Sequence, residues 1–205
     1  MNRPNILIAG GGPAGSVLAT LLAREGLRVV ILDRATFPRP KACGESLNPG
    51  GVRALMTLGL GEAVERLGPA RMKGWALRSP EGISVRADFG GPDLQAWGIP
   101  RASLDATLLE GARSAGAEIL EGVTVVGCHQ GGRGGRPPKL FARAASGASF
   151  ELEPDVLVGA DGLPSRVSGS LGWRQSPRGP RKASLSFRVR GRREAPDRGV
   201  LFLGG

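Results

Sequence analysis

The sequence predicts an α/β fold, doubly wound around a parallel sheet, with part of a smaller antiparallel β layer beside it. Three observations predict it. Short apolar runs at residues 5–9, 28–32 and 155–158 have the character of strands buried on both faces of a parallel sheet. The first run stops at once in Gly10-Gly11-Gly12-Pro13-Ala14-Gly15, a strand-to-helix turn. Elsewhere, around residues 72–89 and 123–152, apolar and polar residues alternate between turn signals, as in antiparallel strands with one solvated face.

Taken in order, residues 5–9 form a strand, and a helix begins at Pro13, which suits a first turn because it has no N–H to leave unpaired. Val17, Leu18, Leu21 and Leu22 recur on one helical face and Gly26 closes the helix. Residues 28–32 then give a second strand ending at Asp33, so residues 5–33 make one strand-helix-strand unit with a right-handed crossover. A second helix is punctuated by Asn48 as cap, Pro49 in its first turn and Gly59 past its end. Trp75-Ala-Leu and residues 83–89 flank the turn Pro80-Glu-Gly82 as a hairpin. A helix over residues 103–114 carries Leu104, Leu108 and Ala112 on one side and leads through Gly116 to a strand at 117–120. Residues 123–128, 139–144 and 149–152 read as a β-meander, and residues 155–158 return to the parallel sheet before Gly159-Ala-Asp-Gly162. Residues 183–189 and 200–203 are further strands. The domains expected from this pattern are 1–70 with 100–172, and 71–99 with 173–205.

Composition narrows the function. With 40% hydrophobic residues and no apolar run approaching 18 residues, nothing forms a membrane-spanning helix. No export signal is visible, and Cys43 and Cys128 form no C-x-x-C pair, so a reducing cytoplasm is expected. The balance of 28 Lys+Arg against 18 Asp+Glu, net +10, invites a nucleic-acid reading. Against it, the arginines are scattered, Tyr is absent and aromatics are not interleaved with the basic residues; an Arg-rich surface that attracts anionic small molecules is the expectation. His129 is the only histidine, so neither a Ser-His-Asp set nor a histidine-rich metal site is argued from it.

The turn after the first strand carries the chemistry. Gly10 permits the tight turn, Gly12 lets a pyrophosphate approach the backbone, and Gly15 lets the helix pack against the strand. The helix N-terminus through Pro13 and Ala14 supplies N–H groups and positive potential to an anion. Asp33 follows Gly15 by 18 residues at the end of the second strand, where a carboxylate accepts ribose hydroxyls and repels a 2′-phosphate. This geometry specifies an adenine dinucleotide and leaves NAD and FAD open.

Ile8-Ala-Gly-Gly-Gly-Pro-Ala-Gly15 with Leu32-Asp-Arg34, Arg101-Ala-Ser-Leu-Asp105 and Gly159-Ala-Asp-Gly-Leu-Pro-Ser-Arg166 together resemble the flavoprotein superfamily of p-hydroxybenzoate hydroxylase. Lys41-Ala-Cys-Gly-Glu-Ser-Leu-Asn-Pro49 most resembles its geranylgeranyl-reductase, flavin-halogenase and related monooxygenase branches. The resemblance implies a Rossmann-like FAD-binding domain, with NAD(P)H as reductant and a small organic molecule as substrate. It implies that Asp33 and Arg34 hold the adenosine half of FAD and that Arg101 reaches the cofactor. Val125 would line the adenine through its backbone, and Cys43-Gly44 would approach the flavin ring. Asp161-Gly162 would stand beside a pyrophosphate, although an Asp in this position also serves as a cap for the following turn. No residue is assigned as a protein acid or base, because the cofactor performs the redox step.

Within the resemblance an NAD(P)H-dependent monooxygenase is the first expectation, as the broader branch, with an isoprenoid reductase or a halogenase as alternatives. The family's second Gly-Asp motif is not found in these 205 residues. The chain therefore reads as missing a C-terminal part, and a truncated, inactive nucleotide-binding module is the reading from another class.

Overall fold

In the computed structural model, residues 5–91, 93–132, 136–163, 165–175, 185–186 and 197–203 are described. The chain begins with β1 (Ile6–Ala9), α1 (Pro13–Arg24) and β2 (Val29–Asp33), and continues through β3 (Ser46–Leu47), α2 (Pro49–Thr57) and α3 (Gly61–Glu65). Four strands follow, β4 (Ala70–Met72), β5 (Gly74–Arg78), β6 (Ser84–Asp88) and β7 (Ala96–Gly98), before α4 (Arg101–Ser114). Then come β8 (Glu118–Glu121), β9 (Val123–His129), β10 (Lys139–Ala144), β11 (Ser149–Leu152), β12 (Val156–Gly159), α5 (Arg166–Ser170) and β13 (Arg198–Phe202). The chain divides into two compact units, Met1–Arg39 with Leu104–Lys182, and Pro40–Ser103 with Ala183–Gly205.

The first unit is the doubly wound part. Its sheet has the order β12-β1-β2-β8, all pairs parallel. Successive residues of a strand face opposite sides, and here both sides are apolar. Leu7, Ala9, Val30 and Leu32 meet Val123, Val125, Leu140 and Ala142 from the antiparallel β11-β10-β9 meander. On the other face, Ile6, Ile8, Val29 and Ile31 pack on Ala19 of α1 and on Leu109 and Ala112 of α4. A strand sandwiched this way must be apolar at every position, which is why β1 and β2 read as continuous runs rather than alternating ones. Each large side chain so buried contributes about 1.5–3 kcal/mol. The meander bears out the alternating pattern, with one irregularity: the β9–β10 register shifts between Phe141 and Ala142.

In the second unit, β3-β7-β4 form one small sheet and β13-β5-β6 another. The hairpin expected around Pro80-Glu-Gly82 is β5–β6, antiparallel, with Gly82 at φ +88° in its turn. Asn48 caps α2 by accepting the Gly51 N–H at 2.7 Å. β13, however, pairs with β5 in parallel. It reaches β5 after a long excursion rather than from a hairpin, and only a hairpin forces antiparallel pairing. The strand expected over residues 183–189 lies outside the described residues, apart from Leu185 and Ser186. Trp97 is buried beneath the Arg71 guanidinium, 5.8 Å from its ring, which is core packing.

Candidate cofactor-binding site

The Gly-rich turn closes the carboxyl end of β1. Gly10 stands at φ +108°, donates its N–H to the Leu32 carbonyl at 2.7 Å, and lies so close to β12 that a methyl group on it would sit 2.4 Å from the Ala160 carbonyl oxygen. At Gly15 a methyl group would lie 1.9 Å from the Gly10 carbonyl oxygen. These two glycines are needed by the fold itself. Gly12 differs: its backbone is extended, at φ −73° and ψ −178°, and among the described residues the only neighbour a methyl group would meet within 4 Å is the Arg39 Nη2 at 3.7 Å. Space is left over Gly12, at the N-terminus of a 12-residue helix, where backbone N–H groups and the helix dipole favour an anion. Ser16, buried, fixes the turn by donating its hydroxyl to the Gly11 carbonyl at 3.0 Å.

Asp33 ends β2 directly beside this turn. Its Oδ2 accepts the Gly11 N–H at 2.8 Å and its Oδ1 the Ala35 N–H at 2.9 Å. A carboxylate offers about four acceptor positions, so two backbone bonds hold it and leave room for two hydroxyls. Arg34, next along, is exposed. The residues present fit an adenine dinucleotide: a bare backbone at Gly12, free space above it, and an anchored carboxylate one strand away.

Asp161 and Gly162 follow β12, with the backbone of Ala160 and Asp161 packed against Gly10. Of the two uses weighed for Asp161, the cap is visible. Its Oδ1 accepts the Ser165 hydroxyl at 2.6 Å, and its Oδ2 accepts the N–H groups of Arg166 at 2.5 Å and Val167 at 3.3 Å. Gly162 is exposed at φ +70°. Val125 is buried in β9 against the sheet.

Cys43, Gly44 and Arg101 belong to the second unit. Cys43 is a free, half-buried thiol whose carbonyl accepts the Ser186 hydroxyl at 2.8 Å. Glu45 takes the left-handed conformation, φ +53°, from which its carbonyl accepts the Ile99 N–H at 2.8 Å and its Oε1 the Arg101 N–H at 3.2 Å. That side chain caps the start of α4 and fixes where Arg101 begins. The other cysteine, Cys128, is buried in the first unit and its thiol is pushed up from the usual range by burial.

Two residues that the sequence reading passed over join the site. Arg39 Nη2 lies 3.9 Å from Asp33 Oδ2 and 3.6 Å from Asp105 Oδ2, with the guanidinium 4.8 Å above the Phe37 ring. Asp105 is wholly buried. A signal was present: Asp105 sits on the apolar face of α4 with Leu108, Leu109 and Ala112, and a carboxylate on such a face needs a cation. Among the described residues no group of three or more His, Cys, Asp or Glu could hold a metal ion, and no helix is long and apolar enough to cross a membrane.

The turn, the anchored carboxylate and the three-layer unit define a dinucleotide-binding domain, and comparison with known proteins makes it a flavoprotein one. Residues 3–195 match the family described as FAD binding domain, and the chain belongs to that family. It is 37% identical over 175 residues to the menaquinone reductase of Mycobacterium tuberculosis, spanning 83% of this chain and 40% of that protein. It is 36% identical over 162 residues to a flavin-dependent halogenase of Armillaria mellea, spanning 77% of this chain and 32% of that protein. Among solved structures it resembles the myxobacterial chondrochloren halogenase, with TM-score 0.74 at 29% identity over 83% of this chain and 40% of that one. It also resembles a flavin-dependent monooxygenase solved with FAD and substrate, with TM-score 0.71 at 25% identity over 83% of this chain and 32% of that one. The chain thus spans about 40% or less of the length of these relatives.

Proposed function

We propose that this protein is the flavin-binding portion of an FAD-dependent oxidoreductase, most simply an NAD(P)H-dependent monooxygenase acting on a small organic substrate in the cytoplasm. The open space above Gly12, flanked by the anchored carboxylate of Asp33, supports the dinucleotide in this reading, and the family match over residues 3–195 supports FAD as that dinucleotide. The first unit is then the FAD-binding domain and the second a substrate-binding layer. Gly10, Pro13, Ala14 and Gly15 build the anion end of α1, Asp33 and Arg34 hold the adenosine half, and Val125 borders the adenine. Asp161 and Gly162 shape the opposite wall of the pyrophosphate site through their backbone. Cys43, Gly44 and Arg101 lie in the second unit, and the reading of these three as cofactor residues is carried by the sequence resemblance alone.

Bound FAD would supply the hydride-transfer redox chemistry. This chain's own residues bind, orient and neutralise. The α1 N–H groups meet the pyrophosphate charge, and Asp33 selects ribose hydroxyls over a 2′-phosphate. A second reading, reduction of an isoprenoid double bond, is favoured by the likeness to a menaquinone reductase and by the Lys41-Ala-Cys-Gly-Glu45 segment; halogenation is favoured by the halogenase relatives.

The test is direct. The purified protein is titrated with FAD and with NAD by calorimetry, and FAD is expected to bind far more tightly. Equal affinity for NAD would return the chain to the ordinary dehydrogenases. Oxygen uptake with NADPH and FAD then separates the oxygen-dependent readings from the reductase one.

A further inference from the structure

Among the described residues, Arg39 is the cation set against the Gly-rich turn, and its guanidinium makes no hydrogen bond there. Its side chain is 17% exposed, yet its two ion pairs, at 3.6 and 3.9 Å, are too long for hydrogen bonds, and among the described residues the guanidinium makes none. An arginine carries five N–H donors in a fixed fork, and no nitrogen of Arg39 is among the buried, unpartnered side-chain atoms of the described residues, so its fork stays open to a ligand. The fork is held still all the same. The buried Asp105 draws it from α4, Asp33 from β2, and the Phe37 ring lies beneath it at 4.8 Å. The nitrogen nearest both carboxylates, Nη2, is also the atom 3.7 Å from the place where a methyl group on Gly12 would stand.

Charge points the same way. Asp33 and Asp105 put two negative groups within 4 Å of one nitrogen, beside a turn that must receive a dianionic pyrophosphate. The helix N-terminus alone carries only about half a positive charge.

We propose that Arg39 is a further cofactor-binding residue, which donates from its guanidinium to a pyrophosphate oxygen of the dinucleotide while Asp105 holds it in position. This rests on the reading of the turn as the FAD site. It assigns Asp105 a positioning role: its buried carboxylate aims the fork and does not itself meet the cofactor.

The experiment compares the full chain with Arg39→Met and Arg39→Lys, measuring affinities for FAD, ADP and adenosine by calorimetry and competition. A charge-assisted contact to phosphate should make FAD and ADP bind roughly tenfold to a hundredfold more weakly to Arg39→Met, while adenosine, which has no phosphate, stays within about twofold. Arg39→Lys keeps the charge without the fork and should fall between. If ADP bound Arg39→Met as well as wild type, or if adenosine lost as much as ADP, the inference would be overturned, since the second pattern is that of an arginine acting only through Asp33 and the fold. Should Arg39→Met fail to fold by circular dichroism, Arg39→Lys decides alone: a selective loss of ADP binding supports the contact and unchanged ADP binding overturns it. Wild type that bound neither FAD nor ADP would remove the cofactor reading itself, and this inference with it.

Discussion

Replacing Gly12 and Gly15, three residues apart in one turn, should have opposite consequences. In Gly15→Ala the new methyl group falls 1.9 Å from the Gly10 carbonyl oxygen and 3.2 Å from Ile8 Cγ2, so α1 must move off β1. Overpacking of this kind costs about 1–3 kcal/mol, and the gain of roughly 1 kcal/mol from alanine's helix propensity offsets part of it. At about 2–4 °C per kcal/mol for a chain of this size, Tm should fall by a few degrees. In Gly12→Ala the backbone is already acceptable to alanine and the nearest atom is 3.7 Å away. The cost to the fold is that of a poorer helix cap, about 1 kcal/mol or less. The methyl group nevertheless occupies the space a pyrophosphate needs. Thermal melts of the apoproteins followed by fluorescence titration with FAD should show Gly12→Ala folded and unable to retain flavin, and Gly15→Ala visibly destabilised. A Gly12→Ala protein that bound FAD like wild type would refute the assignment of this turn as the dinucleotide site.

Asp33→Asn keeps the shape of the side chain but removes the charge that meets the ribose and one of the two acceptors that the Gly11 and Ala35 N–H groups use; a loss of about 2 kcal/mol raises the dissociation constant for FAD about 30-fold, read in the same titration. Asn48→Ala removes the acceptor for the Gly51 N–H and should cost about 1 kcal/mol and 2–4 °C in Tm, without touching FAD affinity. Under native conditions near pH 8, a thiol reagent should modify the half-buried Cys43 and spare Cys128, which is 3% exposed and whose thiol is held protonated by burial; denaturant should release the second equivalent, and mass spectrometry counts both. The Arg198 side-chain hydrogen bond keeps the Asp88 carboxyl below its ordinary range. Its contribution is therefore intact above the unfolded pKa and lost as pH falls through the lower folded one, so Asp88→Asn should flatten the acid side of the stability profile, followed by tryptophan fluorescence.

What the sequence made legible was local. β1, α1 and β2 were marked by their own apolar runs and by Gly10, Pro13 and Gly26, and Asp33 fell where the spacing put it because a buried strand has a fixed rise per residue. The meander was equally readable, since each strand alternates and each turn has its own residues. Contacts between distant segments were not. Nothing near Arg39 in sequence announces Asp105, although the carboxylate on an apolar helix face was a hint. The two-residue strand β3 and the three-residue β4 and β7 are too short to show any period, and the direction of β13 depends on the path taken to reach β5, which no strand encodes.

The position of β1 within its sheet bears on how the protein is made. It is flanked by β2, complete at Asp33, and by β12, whose Val156 pairs with Ile6. About 120 residues separate the two partners, so at 5–20 residues per second a ribosome needs roughly 6 to 24 s to deliver the second after the first. Through that interval one edge of an apolar strand, with Leu7 and Ile8 wholly buried in the finished protein, is open to other chains. Slower translation lengthens the interval and higher expression multiplies the neighbours, so the soluble yield of this protein should respond to both, and to chaperones that shield nascent strands.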